Sequence, residues 1–189
     1  MLTIQVPELE YYDERTNSFG TIPARTLRLE HSLLSISKWE SKWHKAYLET
    51  PGIRKDPSKE KTPEQIVDYL RCMSLDKDVN PLTYSLLPPY IVMQIRNYID
   101  DPMTATWFTE QPGEKKSSSQ TITSEIIYYW MIANDIPFEC EKWHLNRLLT
   151  LIRVCNLKNQ PKKNMSKNSI SKQYRSLNSA RRAKTGSKG

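Results

Sequence analysis

The chain has 189 residues, of which 38% are hydrophobic and 26% are charged, a composition typical of a folded protein rather than a fibrous or disordered one. Its charge is uneven, since residues 1–141 hold 15 Lys and Arg and 21 Asp and Glu, whereas residues 142–189 hold 13 Lys and Arg and no acid. Because the chain has only five glycines, glycine-rich phosphate loops are excluded. Transmembrane helices are also excluded, since no apolar run approaches the ~20 residues of a membrane span.

The first 31 residues predict a small antiparallel sheet. Polar and apolar residues alternate in Thr3–Val6 and again in Thr26–Leu29, which is typical of half-buried strands. The polar stretch from Asp13 to Gly20 between them predicts a turn. Because so small a sheet is marginal alone, we expect it to pack on the helices that follow.

Residues 32–109 predict a set of helices. Apolar residues recur every three or four positions from Ser32 to Leu48, and Thr62 with Gln65 forms the signature of a capping box before a second helix. Another helix begins at Pro88–Pro89 and ends before Pro102. The β-branched and aromatic stretch Thr104–Phe108 predicts a short strand.

The remaining residues predict a loop, a helical hairpin and a tail. Residues 110–121 are a surface loop, and residues 122–157 form two antiparallel helices, the first capped by Thr123–Glu125 and the second running from Cys140 to Leu157. Residues 158–189 are basic and mostly disordered, while residues 1–157 form the globular body. The predicted fold class is α+β and predominantly helical.

No pattern in the sequence points to catalysis. A nucleophile elbow is absent, and Asp100–Asp101 before a proline is more typical of a helix end than of a metal site. Cys140 and His144 lie four apart on one predicted helix face with Cys155 further on, but a Cys-x-x-Cys element is missing. We therefore predict a non-enzyme with no cofactor and no metal, in which His31 and His44 carry no role.

Aromatic and basic residues point instead to binding. Tyr128 and Tyr129 cannot both face a core, because successive helical positions lie about 100° apart, so one of them is a candidate contact residue. Five residues are predicted to bind a partner: Tyr128, Tyr129, Trp130, Trp143 and Arg147. Five tail residues are predicted to engage an anionic partner: Lys162, Lys163, Arg175, Arg181 and Arg182. The three widely spaced cysteines favour a reducing compartment, and a secretory start is missing, so we expect a soluble, intracellular protein.

Several segments resemble a family of tailed-bacteriophage proteins, the tail assembly chaperones of long-tailed phages, which are encoded beside the tape-measure protein. The segments that carry the resemblance span nearly the whole chain: 29–43, 69–73, 101–106, 122–132, 136–149 and 177–182. The resemblance implies a non-catalytic factor that binds helical segments of the tape-measure chain, with other tail proteins as further partners, in the host cell cytoplasm, and that is absent from the mature virion.

Two alternatives stay open at this point. In the first alternative, the chain is a nucleic-acid-associated phage protein whose basic tail binds phosphates. In the second, it is a minor tail or connector component that uses the same tail. The tail has Tyr174 as its one aromatic residue, which is too few for a base-stacking platform.

Overall fold

The computed structural model describes residues 1–48, 60–108, 121–159 and 167–186. It confirms the predicted fold class, since short antiparallel strands precede a predominantly helical body. Contacts divide the chain into two compact units, Met1–Asn156 and Leu157–Gly189. The division lies one residue before the predicted boundary.

Four strands form two separate two-stranded antiparallel sheets: β1 Leu2–Val6, β2 Leu9–Asp13, β3 Ser18–Ile22 and β4 Arg25–Leu29. The predicted strands pair as β1 with β4, and Ile4 lies opposite Leu27, both buried. The predicted turn from Asp13 to Gly20 is too long, because its last three residues belong to β3. A Cβ atom at Gly20 would lie 2.5 Å from Cζ of Tyr11, so a larger residue there would displace the Tyr11 ring.

The free edge of β4 is closed by the end of the second helix. The amide of Glu30 donates to the carbonyl of Met73, and the amide of Leu75 donates to the carbonyl of Arg28, at 2.9 Å each. The guanidinium of Arg28 also pairs with Asp76 at 2.7 Å. These bonds fix the first sheet to the helical body, as such a small sheet requires.

Seven α-helices and one 3₁₀-helix are formed by the described residues: α1 Leu33–Trp43, α2 Pro63–Met73, α3 Leu82–Ser85, α4 Pro89–Asp100, α5 Ser124–Ala133, the 3₁₀-helix Phe138–Lys142, α6 Leu145–Asn159 and α7 Lys167–Thr185. The capping box of Thr62 and Gln65 is formed as predicted. Helix α1 ends sooner than the predicted Leu48, because His44 adopts the left-handed conformation at φ 51°.

Helix α1 is the centre of the first unit, where α2, α5 and the 3₁₀-helix pack against it. Its Trp39 is fully buried and donates its indole N–H to the carbonyl of Gln65 at 2.8 Å. A buried indole usually requires such a partner. The bond therefore fixes α2 against α1 at a defined register.

Two predictions between α4 and α5 have different outcomes. The prediction of a strand at Thr104–Phe108 is wrong, since these residues are irregular and the side chain of Trp107 is 89% exposed. Thr104 instead accepts the amide of Thr106 at 3.0 Å, a local bond that competes with strand pairing. The predicted loop at 110–121 lies outside the described residues except for Thr121.

The hairpin and the tail also differ from the predictions. The second helix is split into the 3₁₀-helix and α6, and Asn134 at the end of α5 bonds Asn156 near the end of α6 at 3.0 Å. This bond lies between the C-terminal parts of α5 and α6. Within the tail, Lys167–Thr185 is helical rather than disordered, and neither Pro nor Gly interrupts this run.

Candidate protein-binding face

Helix α5 carries three of the five predicted contact residues, Tyr128, Tyr129 and Trp130, and its start is held from α1. The Glu40 carboxylate accepts the amide of Ser124 at 2.7 Å and the amide of Tyr47 at 2.8 Å. The predicted side-chain cap by Thr123 is not formed. A negative charge at the first turn offsets the positive end of the helix dipole, so the buried Glu40 both fixes and stabilises this terminus.

The other end of α5 is closed by a Schellman motif. The amide of Ile136 donates to the carbonyl of Met131 at 2.9 Å, and the amide of Asp135 donates to that of Ile132 at 3.2 Å. Asp135 supplies the required left-handed residue at φ 52°. Met131 and Ile136 are buried, so both ends of α5 are fixed by the core.

The outward side of α5 is apolar. Tyr129 is 66% exposed and Ile132 is 60% exposed, and a spacing of three places them side by side on the helix. Tyr128, half-buried, lies four positions before Ile132 on the same side, and its ring centroid is 6.4 Å from that of Phe138, which is 56% exposed. We call this surface, together with the exposed Glu125 one turn earlier, the α5 face: Glu125, Tyr128, Tyr129, Ile132 and Phe138.

The α5 face is bordered by carboxylates. Residues 121–141 contain four acids and no Lys or Arg. Glu141 accepts the hydroxyl of Tyr128 at 2.8 Å, and burial together with this bond raises the pKa of Tyr128. The other three, Glu125, Asp135 and Glu139, are exposed. An apolar centre with an acidic border is suited to a partner that carries apolar side chains beside Lys or Arg.

The other predicted contact residues lie outside this face. Trp143, at the start of α6, is half-buried, and the guanidinium carbon of Arg147 lies 4.3 Å from its ring centroid. This cation–π contact covers the indole rather than offering it to a partner. Trp130 is half-buried, and its carbonyl accepts the side-chain amide of Asn134. On α5 it lies about 100° beyond Tyr129, away from Ile132.

The structure describes three of the five predicted tail residues. Lys162 and Lys163 lie outside the described residues, whereas Arg175, Arg181 and Arg182 are exposed on α7. Within the described residues, no helix has the length and apolar character to cross a bilayer.

A buried polar cluster in the first unit involves His31, to which the sequence assigned no role. Nδ1 of His31 lies 2.6 Å from the Tyr69 hydroxyl, and its ring centroid is 5.1 Å from that of His144. Burial, and then the neighbouring His144, lowers the pKa of His31 to about 3. The residues come from three distant parts of the chain, so local sequence patterns carry no signal for this cluster.

Cys140 and His144 do not share one helix face, since Cys140 lies in the 3₁₀-helix and His144 precedes α6. Nε2 of His144 is 2.9 Å from the carbonyl of Tyr98, and its Nδ1 accepts the amide of Asn146 at 3.3 Å. Across the part of the chain that the structure describes, no three His, Cys, Asp or Glu side chains are grouped to hold a metal ion. The cluster around His31 and His144 therefore has the character of a structural core.

The sequence has no significant match to any family model, curated protein or solved structure.

Proposed function

We propose that this chain is a non-catalytic binding protein whose α5 face captures a helical polypeptide, and that it serves as a tail assembly chaperone of a tailed bacteriophage. The observation that carries the proposal is the exposure of Tyr129 and Ile132 on a helix fixed at both ends, next to the exposed Phe138 of the 3₁₀-helix; each of the three side chains is more than half accessible. Apolar side chains held rigidly at a surface are the usual anchors of protein interfaces.

The form of the α5 face favours a helical partner. Its side chains recur at spacings of three and four, the spacing with which one helix packs its ridges into the grooves of another. An amphipathic helix that presents an apolar stripe would cover Tyr129 and Ile132, while Lys or Arg beside that stripe would pair with Glu125 and Asp135. Since these carboxylates are exposed, the pairs would add selectivity more than affinity.

The tape-measure chain implied by the resemblance has this chemistry. It is long and helical, and its apolar stripes need cover until tube subunits assemble around it. A patch of a few side chains binds each site weakly, so many copies coat a long chain and are then released. We place this action in the host cell cytoplasm, with the protein leaving before the virion is complete.

The proposal is tested by co-purification with the tape-measure chain encoded beside it. The variant Tyr129→Ser/Ile132→Ser removes the two most exposed apolar side chains of the α5 face. We expect it to capture at least about tenfold less tape-measure chain than the unmodified protein, because loss of two interface anchors costs more than about 1.4 kcal/mol. Both positions are exposed, so the melting temperature should change little.

Helix α4 offers a matched control. Tyr90 is 57% exposed and Met93 is 58% exposed, and they are also three positions apart. The variant Tyr90→Ser/Met93→Ser should capture the tape-measure chain as the unmodified protein does. Equal losses in the two variants, or full capture by the α5 variant, would remove the α5 face from the proposal. Failure of the unmodified protein to bind the tape-measure chain would overturn the chaperone assignment itself.

A further inference from the structure

The second unit contains a basic helix, α7, whose described side chains are all exposed. Residues 167–184 hold six Lys and Arg and no acid. Every side chain of α7 that the structure describes is exposed, including Tyr174 and Leu177. A core therefore does not explain why these residues are helical.

An isolated helix of this composition is weakly stable. Isolated helices shorter than about 12–15 residues are marginal in water even when rich in alanine, and α7, although it has 19 residues, contains four Ser and two Asn residues, which are weaker helix formers. Its cations repel one another with no carboxylate on the same helix to pair with them. A polyanionic partner would relieve this repulsion and stabilise the helix.

The positions of the cations indicate the shape of that partner. Arg175 and Arg182 are seven residues apart, so they lie on one side of α7. Lys184 is nine residues from Arg175, which places it about 180° away on the opposite side. A flat surface could contact one of these sides. A groove with phosphates on both walls contacts both.

The same positions argue against a lipid surface. An interfacial helix needs a continuous apolar face, with its cations on the other side. Here Tyr174 and Leu177 are followed on their own stripe by Arg181, seven residues after the first and four after the second. The charge would be forced into the acyl region if the two apolar side chains were buried there.

We propose that α7 binds duplex DNA by lying in the major groove, with Arg175 and Arg182 toward one phosphate backbone and Arg181 and Lys184 toward the other. A groove about 12 Å wide accepts a helix of about 10–12 Å diameter. The exposed Ser176, Asn178 and Ser179 add hydrogen bonds to phosphate and sugar. The contacts are to the backbone, so binding does not depend on base sequence and weakens steeply with salt.

The test uses the full chain and a fluorescently labelled duplex of about two helical turns, with binding followed by anisotropy over a range of NaCl concentrations. Each double variant, Arg175→Gln/Arg182→Gln and Arg181→Gln/Lys184→Gln, removes two phosphate contacts. We expect each to lower affinity at least about tenfold at 0.1 M NaCl and to reduce the slope of log K against log salt by about 2. Lys38→Gln/Lys45→Gln, which removes two exposed cations from the first unit, is the control for net charge and should leave the slope unchanged.

A further variant separates a helix from a flexible basic arm. Ser176→Pro keeps every charge but interrupts α7, so groove binding predicts a loss of affinity at least as large as that of either double variant. Unchanged binding by Ser176→Pro, or equal effects in the control and the α7 variants, would overturn the proposal. So would tighter binding to RNA duplexes, to single-stranded DNA or to phosphatidylserine vesicles than to the DNA duplex. The outcome is independent of the tape-measure experiment, since the α5 face is intact in every variant used.

Discussion

The carboxylate of Glu40 in α1 accepts the amide of Ser124, the first residue of α5, although the two are 84 positions apart. Its second oxygen accepts the amide of Tyr47, just after α1. One buried side chain thus satisfies the backbone at the start of α5 and the backbone of the segment that leaves α1. The orientation of the α5 face depends on this contact.

Replacement of Glu40 by Ala should lower the free energy of unfolding by about 2–4 kcal/mol, because two amides lose their acceptor and an unsatisfied buried donor costs about 1–3 kcal/mol. Glu40→Gln keeps one carbonyl acceptor and should cost roughly half as much. Urea denaturation measures both. Glu125→Gln, at the same helix terminus but exposed, should cost less than about 1 kcal/mol. A loss as large as that of Glu40→Ala in this control would assign the effect to general charge rather than to the contact.

The elements that could be predicted from the sequence are those whose signals are local. The capping box of Thr62 and Gln65 marks the start of α2, and Asp101 before Pro102 marks the end of α4, because both signals lie within a few residues of the helix end. The position where α5 starts could be predicted, since Thr123 is its N-cap residue, but the group that caps it could not. The Thr123 side chain has the residue type of a cap, but a distant carboxylate occupies that role.

The candidate site could be predicted in part. The angle of about 100° between neighbouring helical positions requires one of Tyr128 and Tyr129 to face outward, and the structure places Tyr129 there. Ile132 could not be identified in the same way, since an apolar residue in an apolar helix is usually assigned to the core. Its exposure follows from the packing of Ile127 and Met131 on the opposite side of α5, which is a tertiary property.

The pH dependence of stability should reflect the buried His31. Its folded-state pKa of about 3 is below the ordinary histidine pKa of 6.5, so between these values the unfolded chain binds a proton that the folded chain does not. Stability therefore falls as the pH falls below 6.5, by up to about 1.4 kcal/mol per pH unit. Urea denaturation from pH 7.5 to 5 measures this slope. The lowered pKa values of Asp68 and Asp76 affect stability only at lower pH, so these carboxylates do not contribute to the slope between pH 7.5 and 5.

A variant identifies the group responsible for that slope. His31→Gln keeps a polar side chain beside the Tyr69 hydroxyl but does not titrate. It should be less stable at pH 7.5 and show a flatter dependence between pH 6.5 and 5. An unchanged slope in His31→Gln would mean that another group binds the proton.

The contact between Trp143 and Arg147 should contribute measurably to stability. Trp143→Ala is expected to lower the free energy of unfolding by about 2–3 kcal/mol, less than for a fully buried indole because Trp143 is half-buried. Arg147→Ala should cost about 0.5–1 kcal/mol through loss of the guanidinium above the ring. The double variant should lose less stability than the sum of the two single losses, and the difference should be about the energy of the cation–π contact. If the two single losses of stability are strictly additive, the contact between the guanidinium and the ring contributes no stability. If Trp143→Ala instead loses tape-measure capture without losing stability, Trp143 belongs to the interface.

Removal of residues 158–189 should leave the first unit folded. The cut lies after Leu157, one residue beyond the end of the first unit, and Lys158 and Asn159 are the exposed last residues of α6. Few core contacts are lost, so the melting temperature should change by less than about 4 °C, which corresponds to roughly 1 kcal/mol for a domain of this size. The truncated chain should also keep its tape-measure capture while losing its affinity for duplex DNA, because the α5 face and α7 lie in different units. A much lower melting temperature would show that the last 32 residues stabilise the body, and retained DNA binding would place the phosphate contacts in the first unit.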